Sequence, residues 1–307
     1  MNSPAPAPQL IIKVDVDTDR GTREGVPALA AILKRHSLPA SFLFSLGPDN
    51  TGKAIRRVFR PGFLKKISRT RVTKLYGWRT LLSGTLLPAP HIGKRNETIL
   101  RQVKAAGFAV GIHCNDHFRW QDYLHRLSLE ETREEFGRAV TEFERIFGER
   151  PLAAGAPGWQ ANAHSFQVYD EHQLLYGSDC RGTFPFFPES NGKTFRTLQI
   201  PTTLPTLDEL LGRADFPETS IVAHYLGLLR TESLNVLTIH AEIEGMQKVN
   251  LFEQLLKEAK QAGVTFTTME EIAHRLLQDR DAIRVCVVEE GKVDGRSGLL
   301  ASQRIAA

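Results

Sequence analysis

Residues 9 to 17 alternate between apolar and charged side chains. Leu10, Ile12, Val14 and Val16 fall on one side of the chain, and Lys13, Asp15 and Asp17 fall on the other. A period of two is the signature of a strand with one apolar face, and this strand ends in carboxylates. The pattern that follows predicts a helix from about Glu24 to His36 and then an apolar strand, Ala40 to Leu46. The chain therefore opens as a β-α-β unit.

Later strands are predicted at Phe108 to Ile112, Leu152 to Gly155, Leu174 to Tyr176, Leu198 to Ile200, Leu234 to Ile239 and Val264 to Thr267, with helices between them. The clearest helix starts at Ser128, where a capping box with Glu131 precedes apolar residues at 129, 136, 139, 140, 143, 146 and 147, and it stops at Gly148. About eight strands alternating with helices, without repeats or low-complexity segments, favour an α/β fold of the distorted (β/α) barrel type over an open doubly wound sheet. Residues 1–280 are expected to form the catalytic domain, and residues 281–307, with little periodicity, a peripheral C-terminal extension.

The N-terminus, MNSPAPAPQL, lacks a charged leader and a long apolar stretch, and no window approaches ~18 uninterrupted apolar residues. A cytoplasmic protein without a spanning helix is expected. Cys114, Cys180 and Cys286 are too scattered for a disulfide scaffold or a thiolate zinc site, which fits a reducing compartment. The net charge of +4 hides an asymmetry: residues 50–96 hold twelve Lys or Arg and no Asp or Glu. They are interleaved with Phe59, Phe63, Tyr76, Trp78 and several leucines. Basic plus apolar is the composition of an interfacial insertion, which predicts contact with an anionic membrane surface. Nucleic acid is not an expected partner, since no recognised binding module accompanies the charge.

Three polar clusters fall where strands end, which is where α/β proteins build sites. Asp15 and Asp17 lie roughly 6 to 7 Å apart by strand rise, so one can bind a metal while the other acts as a base on activated water. His113 and His117, directly after an apolar strand, are four apart and share one face of a helical turn, so both imidazoles can reach one divalent ion. Asp17, His113 and His117 form a two-His-one-carboxylate set that leaves coordination positions open, the arrangement of a catalytic site. His240 closes a late apolar strand, where it can donate a proton to a leaving amine. Zinc, manganese, cobalt and iron all suit such ligands.

In this order the motifs resemble those of the polysaccharide deacetylases with the NodB-type homology domain, over roughly residues 10 to 270. The likeness rests on Asp15 and Asp17, on His113 and His117, on Ala156-Pro157-Gly158-Trp159, on Asp179, and on Leu237 with His240. It implies a distorted (β/α) barrel, a metal held by Asp17, His113 and His117, Asp15 as the base and His240 as the acid. Asp179 or Glu242 is placed to orient His240 or Arg181. The strings VDVDTDRGTREGVP, SDCRG, QIPTTLPTLDE and TIHAEIEG are similar to a branch of that family acting on undecaprenyl-phosphate-linked formamido-arabinose. That branch removes a formyl group at the inner membrane, and the amino sugar it leaves goes on to lipid A and polymyxin resistance.

Two departures from the family pattern stand out. Val16 separates acidic residues that are adjacent in the wider family, so the roles of Asp15 and Asp17 can be exchanged. The family's arginine ahead of the Pro-Gly turn, which steers the base, is absent from Ala154-Gly155-Ala156-Pro157, and Arg181 is a candidate replacement. Two other functions are compatible with parts of the pattern: a soluble carbohydrate de-N-acetylase, which needs no basic apolar insertion, and a non-catalytic membrane-associated sugar-binding protein.

Overall fold

A computed structural model describes residues 7–54 and 80–304. Most of the basic apolar segment, including Arg56, Arg57, Lys65 and Lys66, lies outside the described residues. Strand β1 (Gln9–Val16) leads through a π-type turn, Gly21–Gly25, into helix α1 (Val26–Arg35), and β2 follows at Ser41–Ser45. Next come α2 (Ile92–Ala105), β3 (Ala109–Cys114), α3 (His117–Tyr123), α4 (Leu129–Phe147), β4 (Ala153–Ala154) and α5 (Ala163–Glu171). The second half runs through β5 (Tyr176–Gly177), β6 (Phe187–Ser190), β7 (Lys193–Thr194), β8 (Leu198–Gln199), α6 (Ile221–Leu228) and β9 (Asn235–His240). It closes with α7 (Val249–Gln261), β10 (Thr265–Thr267), α8 (Met269–Leu276), β11 (Val285–Gly291) and β12 (Leu300–Gln303).

Eight strands make one curled parallel sheet in the order β10-β1-β2-β3-β4-β5-β8, with β9 also paired to β1. Strand β1 is its hub, meeting β2 through Lys13–Val16, β9 through Leu10–Asp15 and β10 through Gln9–Ile11. No ladder joins β8 to β9 among the described residues. There the wall is completed by the loop after β8, whose Thr203 and Leu204 N–H groups both donate to Val236 O at 3.2 and 3.1 Å. The barrel is thus distorted at this seam.

The alternation in β1 is the inside and outside of this wall. Leu10, Ile12, Val14 and Val16 pack into the main core under the helices. Ile11 plugs the barrel floor with Tyr176, Leu198, Ile200 and Val236, and above it Lys13, Asp15 and Asp17 climb the inner face toward the mouth. Helix α4 shows how local sequence sets an element: Ser128 Oγ accepts from Glu131 N while Glu131 accepts from Ser128 N, and Gly148 ends it at φ 71°. Such a cap contributes ~1 kcal/mol, whereas each fully buried side chain on its inner face, such as Phe136 or Phe143, contributes ~1.5–3 kcal/mol. Packing of that face outweighs the cap.

A second, mixed sheet was not evident in the periodicity. Its strand order is β12-β11-β6-β7, with β11 parallel to β6. Residues beyond Asp281, which show little periodicity, form two of its strands and bond back to the loop after β5. Arg181 N donates to Ala301 O at 2.9 Å, and Gln303 N donates to Arg181 O at 2.8 Å. No helix among the described residues is long and apolar enough to cross a membrane.

Candidate metal centre and its surroundings

The C-terminal ends of β1, β3 and β9 converge on one mouth, and each supplies a polar side chain there. Asp17 leaves β1, His113 lies on β3, and His117 opens α3, whose N-cap Asp116 accepts from Arg119 N. Asp17 Oδ1 stands 3.2 Å from His113 Nε2 and 3.5 Å from His117 Nε2. One ligand atom from each of the three residues falls within 4.8 Å of the other two.

The ring of His113 fixes the chemistry of this set. Its Nδ1 is 2.6 Å from Gly155 O, and a carbonyl can only accept, so Nδ1 carries the proton. With Nδ1 committed to Gly155 O, Nε2 is the nitrogen turned toward the buried Asp17 Oδ1. Two imidazole nitrogens and one carboxylate oxygen gathered within 4.8 Å are a donor set that fits a divalent ion. Burial works against the charged form of Asp17, but His117 and His113 outweigh it and hold its carboxyl well below the usual range.

Behind the ligands, Glu242 holds the turn that carries Asp17. Its Oε1 accepts from Asp17 N, Thr18 N and Thr18 Oγ1 at 3.1, 2.9 and 2.7 Å. A Cβ at Gly21 would come within 1.9 Å of that oxygen and would displace the Glu242 side chain from these bonds. Burial, reinforced by the charge of Asp17, raises the Glu242 carboxyl well above the ordinary carboxylate value. Glu135 supports the histidine loop in the same way, accepting from Asp116 N and Asn115 Nδ2 at 2.9 and 3.1 Å.

Asp15 sits one step deeper on β1, opposite His240 in the β1–β9 register. Its Oδ2 lies 3.2 Å from Lys13 Nζ, while its buried Oδ1 has no hydrogen-bond partner. Lys13 is fully buried, and its ammonium also donates to Ser178 O at 3.0 Å and lies 5.7 Å from the Trp159 ring. Removing an ammonium from water costs several kcal/mol, and these partners offset that cost. The cation beside Asp15 is therefore Lys13. The sequence signal for it was present, since Lys13 shares the polar side of the β1 alternation, but its burial was not.

His240 N donates to Glu244 Oε2 at 2.9 Å, and the ring's Nδ1 is buried without a partner. Burial disfavours the charged ring, yet Asp17, Asp208, Asp15 and Glu244 together raise its pKa above the usual imidazole value. Asp179 is set apart from this pair. Its carboxylate accepts from Ala156 N at 2.6 Å, Tyr169 OH at 3.1 Å and Gln199 Nε2 at 3.0 Å, and burial pushes it up to about 6. It shapes the Ala156-Pro157-Gly158-Trp159 turn and bonds neither His240 nor Arg181. Arg181 Nη1 pairs with Glu209 Oε1 at 2.8 Å, and Nη2 donates to Leu204 O at 3.0 Å.

Known proteins agree with this architecture. A family model described as polysaccharide deacetylase matches residues 13–177. A protein of Shewanella sediminis, named as a 4-deoxy-4-formamido-L-arabinose-phosphoundecaprenol deformylase, is 37% identical over 292 residues, covering 95% of this chain and 93% of its own. One of the same name from Wigglesworthia glossinidia brevipalpis is 32% identical, covering 92% of this chain and 98% of its own. Among solved structures, a Mycobacterium smegmatis protein described as a polysaccharide deacetylase superposes with a TM-score of 0.64 at 16% identity, over 92% of this chain and 95% of its own. That last likeness shows the fold alone.

Proposed function

The chain belongs to the polysaccharide deacetylase family, and from that premise we propose that it is a metal-dependent amidohydrolase that deformylates undecaprenyl-phosphate 4-deoxy-4-formamido-L-arabinose. The substrate class rests on the relatives' names and their near full-length match. The chemistry rests on the Nε2 atoms of His113 and His117 converging on Asp17 Oδ1 at the mouth of the barrel. The products are formate and the free amino sugar, the form that is passed on to lipid A and that underlies polymyxin resistance.

Asp17, His113 and His117 would hold the cation. When bound, it supplies Lewis acidity toward an amide carbonyl and a water, and zinc, manganese, cobalt and iron all suit these ligands. Asp15, with one oxygen fixed by Lys13 and Oδ1 free to accept, takes a proton from the attacking water as the new carbon–oxygen bond forms. His240, whose acidic surroundings raise its pKa above the usual imidazole value, gives a proton to the nitrogen as the carbon–nitrogen bond breaks. Mass spectrometry of the formamido-arabinose lipid incubated with protein and metal tests the reading. Loss of the formyl group is expected. Release of acetyl from soluble oligosaccharide, with the lipid untouched, would replace it by a carbohydrate de-N-acetylase.

The segment at 50–96 supports peripheral attachment at the inner membrane, from the cytoplasmic side. Leu86, at its described end, is 80% exposed. Each Lys or Arg near an anionic surface contributes ~1 kcal/mol, and salt weakens this term but not insertion of apolar side chains. Binding to anionic vesicles should therefore weaken in high salt without vanishing. Replacing Arg56, Arg57, Lys65 and Lys66 with Gln should slow turnover of the lipid substrate more than that of a short-chain analogue. Co-sedimentation with paired kinetics checks this, and absence of vesicle binding by the unsubstituted protein would reject the membrane contact.

A further inference from the structure

The connection between β11 and β12 reaches back to the wall of the site. Arg296 N donates to Val293 O at 3.2 Å, closing a turn in which Gly295 has φ 78°. A Cβ at 295 would meet Glu209 O at 2.2 Å, so the turn needs glycine and lies directly on residue 209. Arg213 Nη1 holds Asp294 Oδ2 at 2.6 Å from outside. The turn delivers Arg296 onto the Trp159 indole, 4.4 Å from its centroid, where Arg181 also lies at 5.2 Å.

Arg296 is confined but poorly bonded. Its buried Nη1 lies 3.5 Å from Glu209 Oε1 and 4.0 Å from Asp208 Oδ2 and has no hydrogen-bond partner. Arg181 already bonds the same Glu209 oxygen at 2.8 Å, so one carboxylate oxygen faces two guanidinium groups. A buried donor left without an acceptor is destabilising, and a guanidinium fork matches the oxygens of a phosphate. The pair borders the reacting end of the site, because the Trp159 ring under both guanidinium groups also lies 5.7 Å from Lys13 Nζ, the partner of Asp15.

We infer that Arg296, with Arg181, binds the phosphate of a polyprenyl-phosphate-linked sugar, while Trp159 fixes both guanidinium planes and the amide lies at Asp17, His113 and His117. The inference rests on the substrate class proposed above, in which the phosphate is one sugar ring away from the amide. It makes the C-terminal strands part of substrate selection.

Two measurements separate the inference from that reading. In the first, farnesyl phosphate, farnesol and inorganic phosphate are titrated by calorimetry against the metal-loaded protein. Farnesyl phosphate should bind at least about tenfold more tightly than either of the others, and Arg296→Gln should remove about tenfold of that advantage, as expected for one hydrogen bond to a charged group. Arg296→Lys, which keeps the charge without the fork, should fall between them, and an unchanged melting temperature verifies that the turn persists. Equal affinity of the Gln variant and the unsubstituted protein for farnesyl phosphate overturns the inference. Inorganic phosphate binding as tightly as farnesyl phosphate overturns it in favour of a free-phosphate site. In the second, Arg296→Gln should raise KM far more than it lowers kcat on a short-chain polyprenyl-phosphate formamido-arabinose. It should lose about tenfold of the kcat/KM preference for that substrate over the methyl glycoside; equal losses on both substrates overturn the inference. If the unsubstituted protein deformylates neither compound, the substrate reading fails, and the titration still decides the phosphate site.

Discussion

Replacing His113 with alanine is expected to strip the metal from the protein and abolish hydrolysis while the chain stays folded. Four-ligand structural zinc sites are worth ~10–16 kcal/mol in all, so one ligand carries roughly 2.5–4 kcal/mol, or ~10²–10³-fold in affinity. The structural cost is smaller. The variant loses the bond from Nδ1 to Gly155 O, and the unpaired carbonyl costs ~1–3 kcal/mol against a typical stability of ~5–15 kcal/mol. Metal analysis, circular dichroism and turnover measured on the same preparation check the three parts. Full occupancy with intact activity in this variant would sink the ligand assignment.

Asp15→Asn and His240→Ala should behave differently, keeping the metal and losing about 10²–10⁴-fold in turnover, the usual worth of a positioned proton-transfer group. Neither residue belongs to the Asp17, His113 and His117 set. Asp15 has Lys13 as its ionic partner, and His240 is held through its backbone by Glu244. A role as acid also has a pH signature. The His240 pKa is raised by its acidic neighbours, so the protonated ring persists to higher pH than an ordinary imidazole. Rate should fall as pH rises through that value, and the fall should vanish in His240→Ala. Loss of metal from Asp15→Asn, with retention in Asp17→Asn, would exchange the two carboxylate roles.

Local pattern alone was enough to place β1, the helix from Ser128 to Gly148 and the histidines at the ends of β3 and β9, because a period of two, a capping box and an apolar run ending in a polar residue are all written within a few positions. It also listed Asp17, His113 and His117 as a set, since their residue types and the spacing of the histidines already constrain the chemistry. What lay beyond it depends on register between distant segments. Asp15 meets His240 only because β1 and β9 pair side by side, and Glu242 grips residues 17 and 18 across the same seam. The seven residues of β11 are a strand because β6 pairs with residues 285–287 and β12 with residues 288–291. Lys13 stood in plain view on the polar side of β1, yet whether that side faced water or a barrel interior was decided by closure of the sheet. Closure turns an exposed lysine into a buried cation that must pair with Asp15, and it brings Arg296 onto Trp159.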